Sequence, residues 1–410
     1  MSSSSAAAPR AAVRPEIQAL RAVAIGCVVL YHFWPAALPA GFVGVDVFFV
    51  VSGFLITGLL LRDAERFGRV RLREFYVRRI RRILPAAMVV LTACGIATLL
   101  FVPRIEWRPF LQQVLSSALY VQNWHLARDS QIPGSADLES TPVQHFWSLS
   151  VEEQFYLLWP LLIIGAVWLA ARFGRTRPAM AGAVLGAATL ASFVHCVLLT
   201  AQDHNLAYFS TFARAWEFGV GGLLALVPAM AGERLRRTRA LAAWVGLAAV
   251  AVAARTFTDH ALFPGAIALV PVLGTAAVIW AGMPRAALSL APVAELRPVQ
   301  WFGDLSYSLY LWHWPIIMFT PYITGQPSHA PVMVLLLVLS IVVSAASKRW
   351  IEDPFRRSVP RERLRMPRAR RAAVASVAAI SAVVLLTSGV AGYAIEEPHG
   401  VACQRSDDRE

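Results

Sequence analysis

Gly44-Val45-Asp46-Val47-Phe48-Phe49-Val50-Val51-Ser52-Gly53-Phe54-Leu55-Ile56 places one carboxylate in a run that is otherwise almost wholly apolar and extends from Phe42 to Leu61. About 20 such residues are what a helix needs to cross the hydrocarbon core of a bilayer. Comparable runs recur on either side. With Pro, Gly and Arg as punctuation, spans are predicted near 17–34, 42–61, 85–102, 149–171, 180–200, 209–228, 240–254, 263–281, 301–321, 331–347 and 372–393. Of the 410 residues, 57% are hydrophobic and only 15% charged, against roughly 45–50% and 25% in a soluble domain. Mean hydropathy is +0.55. These values exclude a soluble globular fold and point to an all-α, polytopic helical membrane protein, because helices satisfy their own backbone polar groups in lipid. The run from Ala22 to Phe33 ends in Tyr31-His32-Phe33-Trp34 rather than in a small-residue cleavage site, so it reads as the first span and not as a secretory signal. The four cysteines lack metal or redox spacing and read as small hydrophobes.

The formal net charge of +13 comes from 37 Arg and a single Lys. With the N-terminus in the cytoplasm and the short stretch 111–125 lying in the interface rather than spanning, 30 of the 38 basic residues fall on the inner side. That asymmetry is the positive-inside pattern, so the basic excess reads as topology and attraction to anionic membrane lipid. Nucleic acid is excluded as a partner on the same ground. The loop 103–148, with Pro133, Gly134 and Asp137, reads as an irregular outer lid.

On this topology the intramembrane polar residues gather at one outer level. His32 ends span 1, and Asp46 begins span 2 after a tight turn containing Pro35, Pro39 and Gly41. Asp46 is therefore expected to orient the His32 imidazole, either as part of a proton-removing site or as a purely structural pair. His145, Glu152 and Glu153 lie at the mouth of span 4, Arg214 and Glu217 at i, i+3 on span 6, and Tyr310 and His313 on the outer half of span 9. Ionisable groups are costly within a membrane and mark functional sites, so His32, Asp46, His145, Glu152, Glu153, Arg214, Glu217 and His313 are the candidate catalytic residues. At the inner face, Arg78, Arg79 and Arg82 precede span 3 and Arg357 follows span 10. Clustered guanidinium groups suit a phosphorylated ligand, though a solvated charge run is the competing reading. No His, Cys or Asp set shows the spacing of metal ligands, so no metal is expected.

Six stretches, in order, resemble the acyltransferase-3 family of integral membrane proteins. They are Arg14-Pro15-Glu16-Ile17-Gln18-Ala19-Leu20-Arg21 leading to Tyr31-His32, the Gly44–Ile56 run, Arg78 to Pro85, Phe146-Trp147-Ser148-Leu149-Ser150-Val151-Glu152-Glu153-Gln154-Phe155-Tyr156, Arg214-Ala215-Trp216-Glu217, and Ser306-Tyr307-Ser308-Leu309-Tyr310-Leu311-Trp312-His313-Trp314-Pro315. The resemblance implies a ten-helix acyltransferase unit over 17–358 that moves an acyl group, usually acetyl, from cytoplasmic acyl-CoA. The acceptor it implies is a sugar hydroxyl on a surface glycan or on a glycosylated natural product such as a macrolide. It also implies that His32 is catalytic, as base or as transient acyl carrier, and that Arg79 and Arg82 handle the CoA co-substrate, acetyl-CoA in the usual case. Around the unit the sequence predicts a disordered cytoplasmic stretch 1–16, a basic linker 359–371, an eleventh transmembrane helix 372–393 and an extracytoplasmic tail 394–410. In the family an eleventh helix usually leads to an SGNH-type extracellular domain, so the chain is expected either to be a partial form or to work with such a domain as a separate partner. The rival class is a transporter or flippase that uses the His/Asp/Glu cluster as a proton relay.

Overall fold

The computed structural model describes residues 14–131, 140–227, 235–258, 262–284, 286–326 and 329–356. The expected linker, eleventh helix and tail, and Arg357, lie outside the described residues. Among the described residues there is no strand, and the chain is a polytopic helical membrane protein. Helix α1 (Pro15–Phe33) opens on a proline, whose fixed φ and missing N–H suit a first helical position. Helix α2 (Gly44–Phe67) stops at Gly68, which takes the left-handed φ of 69° that ends many helices. Then come α3 (Leu72–Phe101), α4 (Arg104–Ala118), α5 (Gln122–Asp129), α6 (Phe146–Arg172), α7 (Arg177–Gln202), α8 (His204–Phe209) and α9 (Thr211–Leu224). The described chain continues through α10 (Arg236–Thr256), α11 (Leu269–Ala281), α12 (Ala291–Ala294), α13 (Arg297–Thr324) and α14 (Ala330–Ser347). A π-helical turn at Lys348–Glu352 then leads into α15 (Asp353–Arg356).

Seven of these segments are long and apolar enough to cross a membrane, namely α1, α2, α3, α6, α7, α10 and the stretch from α14 to Arg356. The other expected spans depart from that norm for visible reasons. Helix α13 has 28 residues but carries Asp304, Ser306, Ser308 and His313 in its interior. The span expected over 209–228 is interrupted because Ser210 caps α9 by accepting a hydrogen bond from the Ala213 amide (3.3 Å). The one expected over 263–281 becomes helical only after Pro264 and Gly265. Stretch 111–125 is divided between the short helices α4 and α5, neither of which has the length of a span.

Backbone-to-backbone approach at glycines sets the helix rotations. A Cβ on Gly53 would fall on the Phe218 carbonyl and one on Gly221 on the Val50 carbonyl, so α2 and α9 touch main chain to main chain. Gly303 stands in the same way against the Gln18 carbonyl and draws α13 onto α1. Small residues allow such approach where no hydrophobic effect pulls helices together. Two consequences matter for the site: the α1–α13 contact brings His32 and His313 together, and the α2–α9 contact turns Asp46 toward Arg214. Leu190, Val194 and Leu198 of α7 and Leu335, Val338 and Val342 of α14 stay exposed as apolar outer surface.

Candidate active site

Helices α1 and α13 supply the first pair. His32 Nδ1 lies 2.8 Å from His313 Nε2, and His313 Nδ1 lies 2.9 Å from the Leu309 carbonyl oxygen. A carbonyl only accepts, so His313 carries its proton on Nδ1 and its Nε2 is an acceptor. His32 must then donate from Nδ1, which leaves its Nε2 with a free lone pair. His145, at the start of α6, stands with its ring 5.7 Å from that of His313, and neither of its buried ring nitrogens has a hydrogen-bond partner among the described residues. The Tyr310 hydroxyl donates to the His145 carbonyl (2.8 Å) and pairs with Ser148 Oγ (2.6 Å). His32, His145 and Tyr310 line a cavity of about 330 Å³, with Trp147, Tyr208 and Trp314 as aromatic walls.

The expected His32–Asp46 pair is not formed. Asp46 is turned away on α2 and lies 3.1 Å from Arg214 Nη2, while Glu217 lies 3.0 Å from Arg214 Nη1 on the same helix face. All three side chains are completely buried, and none lines either of the cavities described here. The place expected for a carboxylate beside His32 is taken by the neutral ring of His313.

Toward the N-terminal end of α1 a second, narrower cavity of about 90 Å³ is lined by Arg21, Arg79, Arg82, Ser52, Glu152 and Tyr156. Glu152 accepts hydrogen bonds from Ser52 and Tyr156, and the Arg79 guanidinium lies over the Tyr156 ring at 5.0 Å. Glu153 interacts electrostatically with Arg79 and Arg82. Glu152 and Glu153 were expected level with His145. They belong instead to the arginine end, because seven residues of helix separate Glu152 from His145, a rise of about 10 Å. Arg78 is also displaced from its expected place: it turns to Asp63 (3.8 Å) and Glu74 (3.9 Å) and does not line the cavity.

Arg21 is the residue that sequence reasoning passed over. It stands eleven positions before His32, three helical turns, so both share a face of α1 about 16 Å apart. The spacing was the available signal. Val45 and Tyr310 line both cavities, so the arginine-end and histidine-end chambers meet at these two side chains.

Beneath the arginine end, Asp304 binds Lys348 (2.7 Å) and Arg356 (3.3 Å), and buried Glu352 accepts a hydrogen bond from Ser308 (3.0 Å). Among the described residues no group of three or more His, Cys, Asp or Glu is arranged to hold a metal ion.

Comparison with known proteins gives this geometry a family. The chain is 29% identical over 356 residues to the peptidoglycan O-acetyltransferase OatA of Listeria monocytogenes, an alignment covering 84% of this chain and 56% of the relative. It is 30% identical over 412 residues to YrhL of Bacillus subtilis, whose name provisionally assigns it the same activity, with 94% of this chain and 63% of the relative covered. The chain thus spans about three fifths of the length of these relatives. No solved structure matches it. The model of the acyltransferase-3 family, described as an acyltransferase domain, matches residues 14–349, and the chain therefore belongs to that family.

Proposed function

We propose that the chain carries an acetyl group from acetyl-CoA, bound at the arginine end, to a sugar hydroxyl bound at the histidine end. The observation that carries this reading is the meeting of the two chambers at Val45 and Tyr310, with guanidinium groups at one end and the free Nε2 of His32 at the other. Arg21, Arg79 and Arg82 offer planar, permanently charged donors for the phosphates of CoA. The three helical turns from Arg21 to His32 match the reach of a pantetheine arm, which brings the thioester to the waist beside Tyr310. The sequence assigns 30 of the 38 basic residues to the side on which Arg79 and Arg82 lie, which supports placing that end and the N-terminus in the cytoplasm. The relatives' names support acetyl as the group and a peptidoglycan-type glycan as the acceptor class.

In the reaction His32 Nε2 takes the proton of the acceptor hydroxyl as its oxygen attacks the thioester carbonyl. The C–O bond forms, the C–S bond breaks, and the proton on His32 passes to the departing thiolate. Throughout, His313 Nε2 holds the opposite edge of the His32 ring through Nδ1–H, the service that a carboxylate gives in other histidine sites. Purified protein in nanodiscs, given acetyl-CoA with radiolabelled acetyl and soluble sugars and no ion gradient, should label the sugar. The His32→Ala protein should insert normally and transfer nothing; turnover at the wild-type rate in that variant would overturn the assignment. A requirement for a gradient would favour the transporter class.

A further inference from the structure

Arg214 is completely buried between two carboxylates, yet its guanidinium carbon also lies near four aromatic rings from four separate segments. Phe49 of α2 is at 5.6 Å, Trp147 of α6 at 6.0 Å, Tyr208 of α8 at 5.6 Å, and Phe263, just before α11, at 5.2 Å. Asp46 and Glu217 form ion pairs with different nitrogens of the planar group. Two of the four rings have a second role. Trp147 and Tyr208, 4.7 Å apart, line the histidine-end cavity. The cluster therefore stands directly behind a wall that faces the site, while touching nothing in the cavity itself.

We propose that Arg214 is a positioning residue for the acceptor: acting through Trp147 and Tyr208, it holds an aromatic wall on which the acceptor's sugar ring is laid with its hydroxyl toward His32. Aromatic faces suit the apolar C–H faces of a sugar, and a rigid ring provides such a platform at little entropic cost. Each ring–guanidinium contact in this desolvated setting is substantial, so loosening the arginine frees both rings of the wall together. Asp46 and Glu217 serve the same end at one remove, by anchoring the arginine. The inference rests on the acyl-transfer reading above and adds an acceptor subsite to it.

The test measures Michaelis constants with acetyl-CoA as donor and, as acceptor, the best of a panel of methyl hexosides and chitotetraose. Arg214→Lys keeps a cation but loses the planar fork, and should raise the acceptor KM about tenfold while the donor KM stays within twofold. Tyr208→Leu removes one ring of the wall while keeping Arg214 and both of its carboxylates, and should shift the acceptor KM in the same direction. The double variant should add little to the larger single effect, because both act on one wall. A role confined to stability would lower the yield of folded protein and leave the acceptor KM unchanged. An acceptor KM within twofold of wild type in Arg214→Lys, or additive effects in the double variant, overturns the proposal. If Arg214→Lys fails to insert, Tyr208→Leu and Trp147→Leu decide it by the same criterion. Wild-type protein that acetylates no sugar in the panel would sink the acyl-transfer reading itself, an outcome distinct from active protein with an unmoved acceptor KM.

Discussion

The arginine-end and histidine-end cavities share Val45 and Tyr310, yet they are furnished by opposite rules. The first draws guanidinium groups from α1 and α3 and a carboxylate from α6 into its lining. Among the described residues the second has no Lys, Arg, Asp or Glu in its lining, only histidines, aromatic rings, neutral polar groups and aliphatic side chains. Ionisable residues do occur close by, but Asp46, Arg214 and Glu217 are withdrawn behind the rings of Trp147 and Tyr208. The difference teaches a division of labour within one membrane domain. Fixed charge sits where a polyanionic donor would be gripped, and it is kept away from His32, whose Nδ1 meets the His313 ring and not a carboxylate.

The sharpest way to break this contrast is at the histidine end. Removal of a general base costs about 10²–10⁴-fold in rate, so His32→Ala should lower kcat at least that far with little change in donor KM, read by label transfer at saturating acetyl-CoA. His313 tests whether a neutral acceptor suffices as the partner of His32. His313→Ala should cost kcat about 10- to 100-fold through loss of one buried hydrogen bond to the His32 ring. His313→Gln, which retains an acceptor, should recover part of that loss. An Asp46→Asn variant with a larger kcat defect than His313→Ala, at equal folded yield, would restore the carboxylate pairing and undo the contrast.

At the arginine end the effect should appear in the other constant. Arg79→Ala and Arg82→Ala each remove a charge-assisted contact, and each should raise the acetyl-CoA KM about 10- to 50-fold with kcat within threefold. Arg78→Ala, whose side chain faces Asp63 and Glu74 instead of the cavity, should change donor KM less than threefold. Equal effects at 78 and 82 would mean that the cytoplasmic charge run acts as a diffuse field and not as a shaped site.

How much of this was legible in the sequence depends on the coordinate in question. Depth along the membrane normal follows from counting residues, and counting places His32, His145 and His313 at one level, where the structure brings their rings together. Counting failed for Glu152 only because it treated a ten-residue motif as a point. Rotation about the helix axis is not legible in the same way. Whether Asp46 faces His32 or Arg214 is decided by the contact of Gly53 and Gly221 with the facing backbone, and a glycine in an apolar run does not announce its partner. Periodicity could have supplied part of the missing coordinate, since Arg21 and His32 are three turns apart on one face. Likewise the i, i+3 spacing of Arg214 and Glu217 did indicate their pairing, which is local to one helix.

The smallest expected effect marks the boundary of the arginine end. Asp304 binds Lys348 and Arg356 across the turn from α14 into α15, but the Asp304 and Arg356 side chains are 37% and 43% exposed. Ion pairs with that exposure contribute little, about 0–1 kcal/mol. Asp304→Asn should therefore leave donor KM within twofold and lower the thermal midpoint by no more than about 3 °C, read by scanning fluorimetry. Asp304 is nonetheless close enough to Arg21 to interact with it electrostatically. If Asp304→Asn shifted the donor KM as far as Arg82→Ala does, the functional cation set would extend from the cavity wall into the α14–α15 elbow. The arginine end would then be a continuous charged surface reaching from solvent to Tyr310, and its contrast with the neutral chamber would begin at the elbow and not at the cavity mouth.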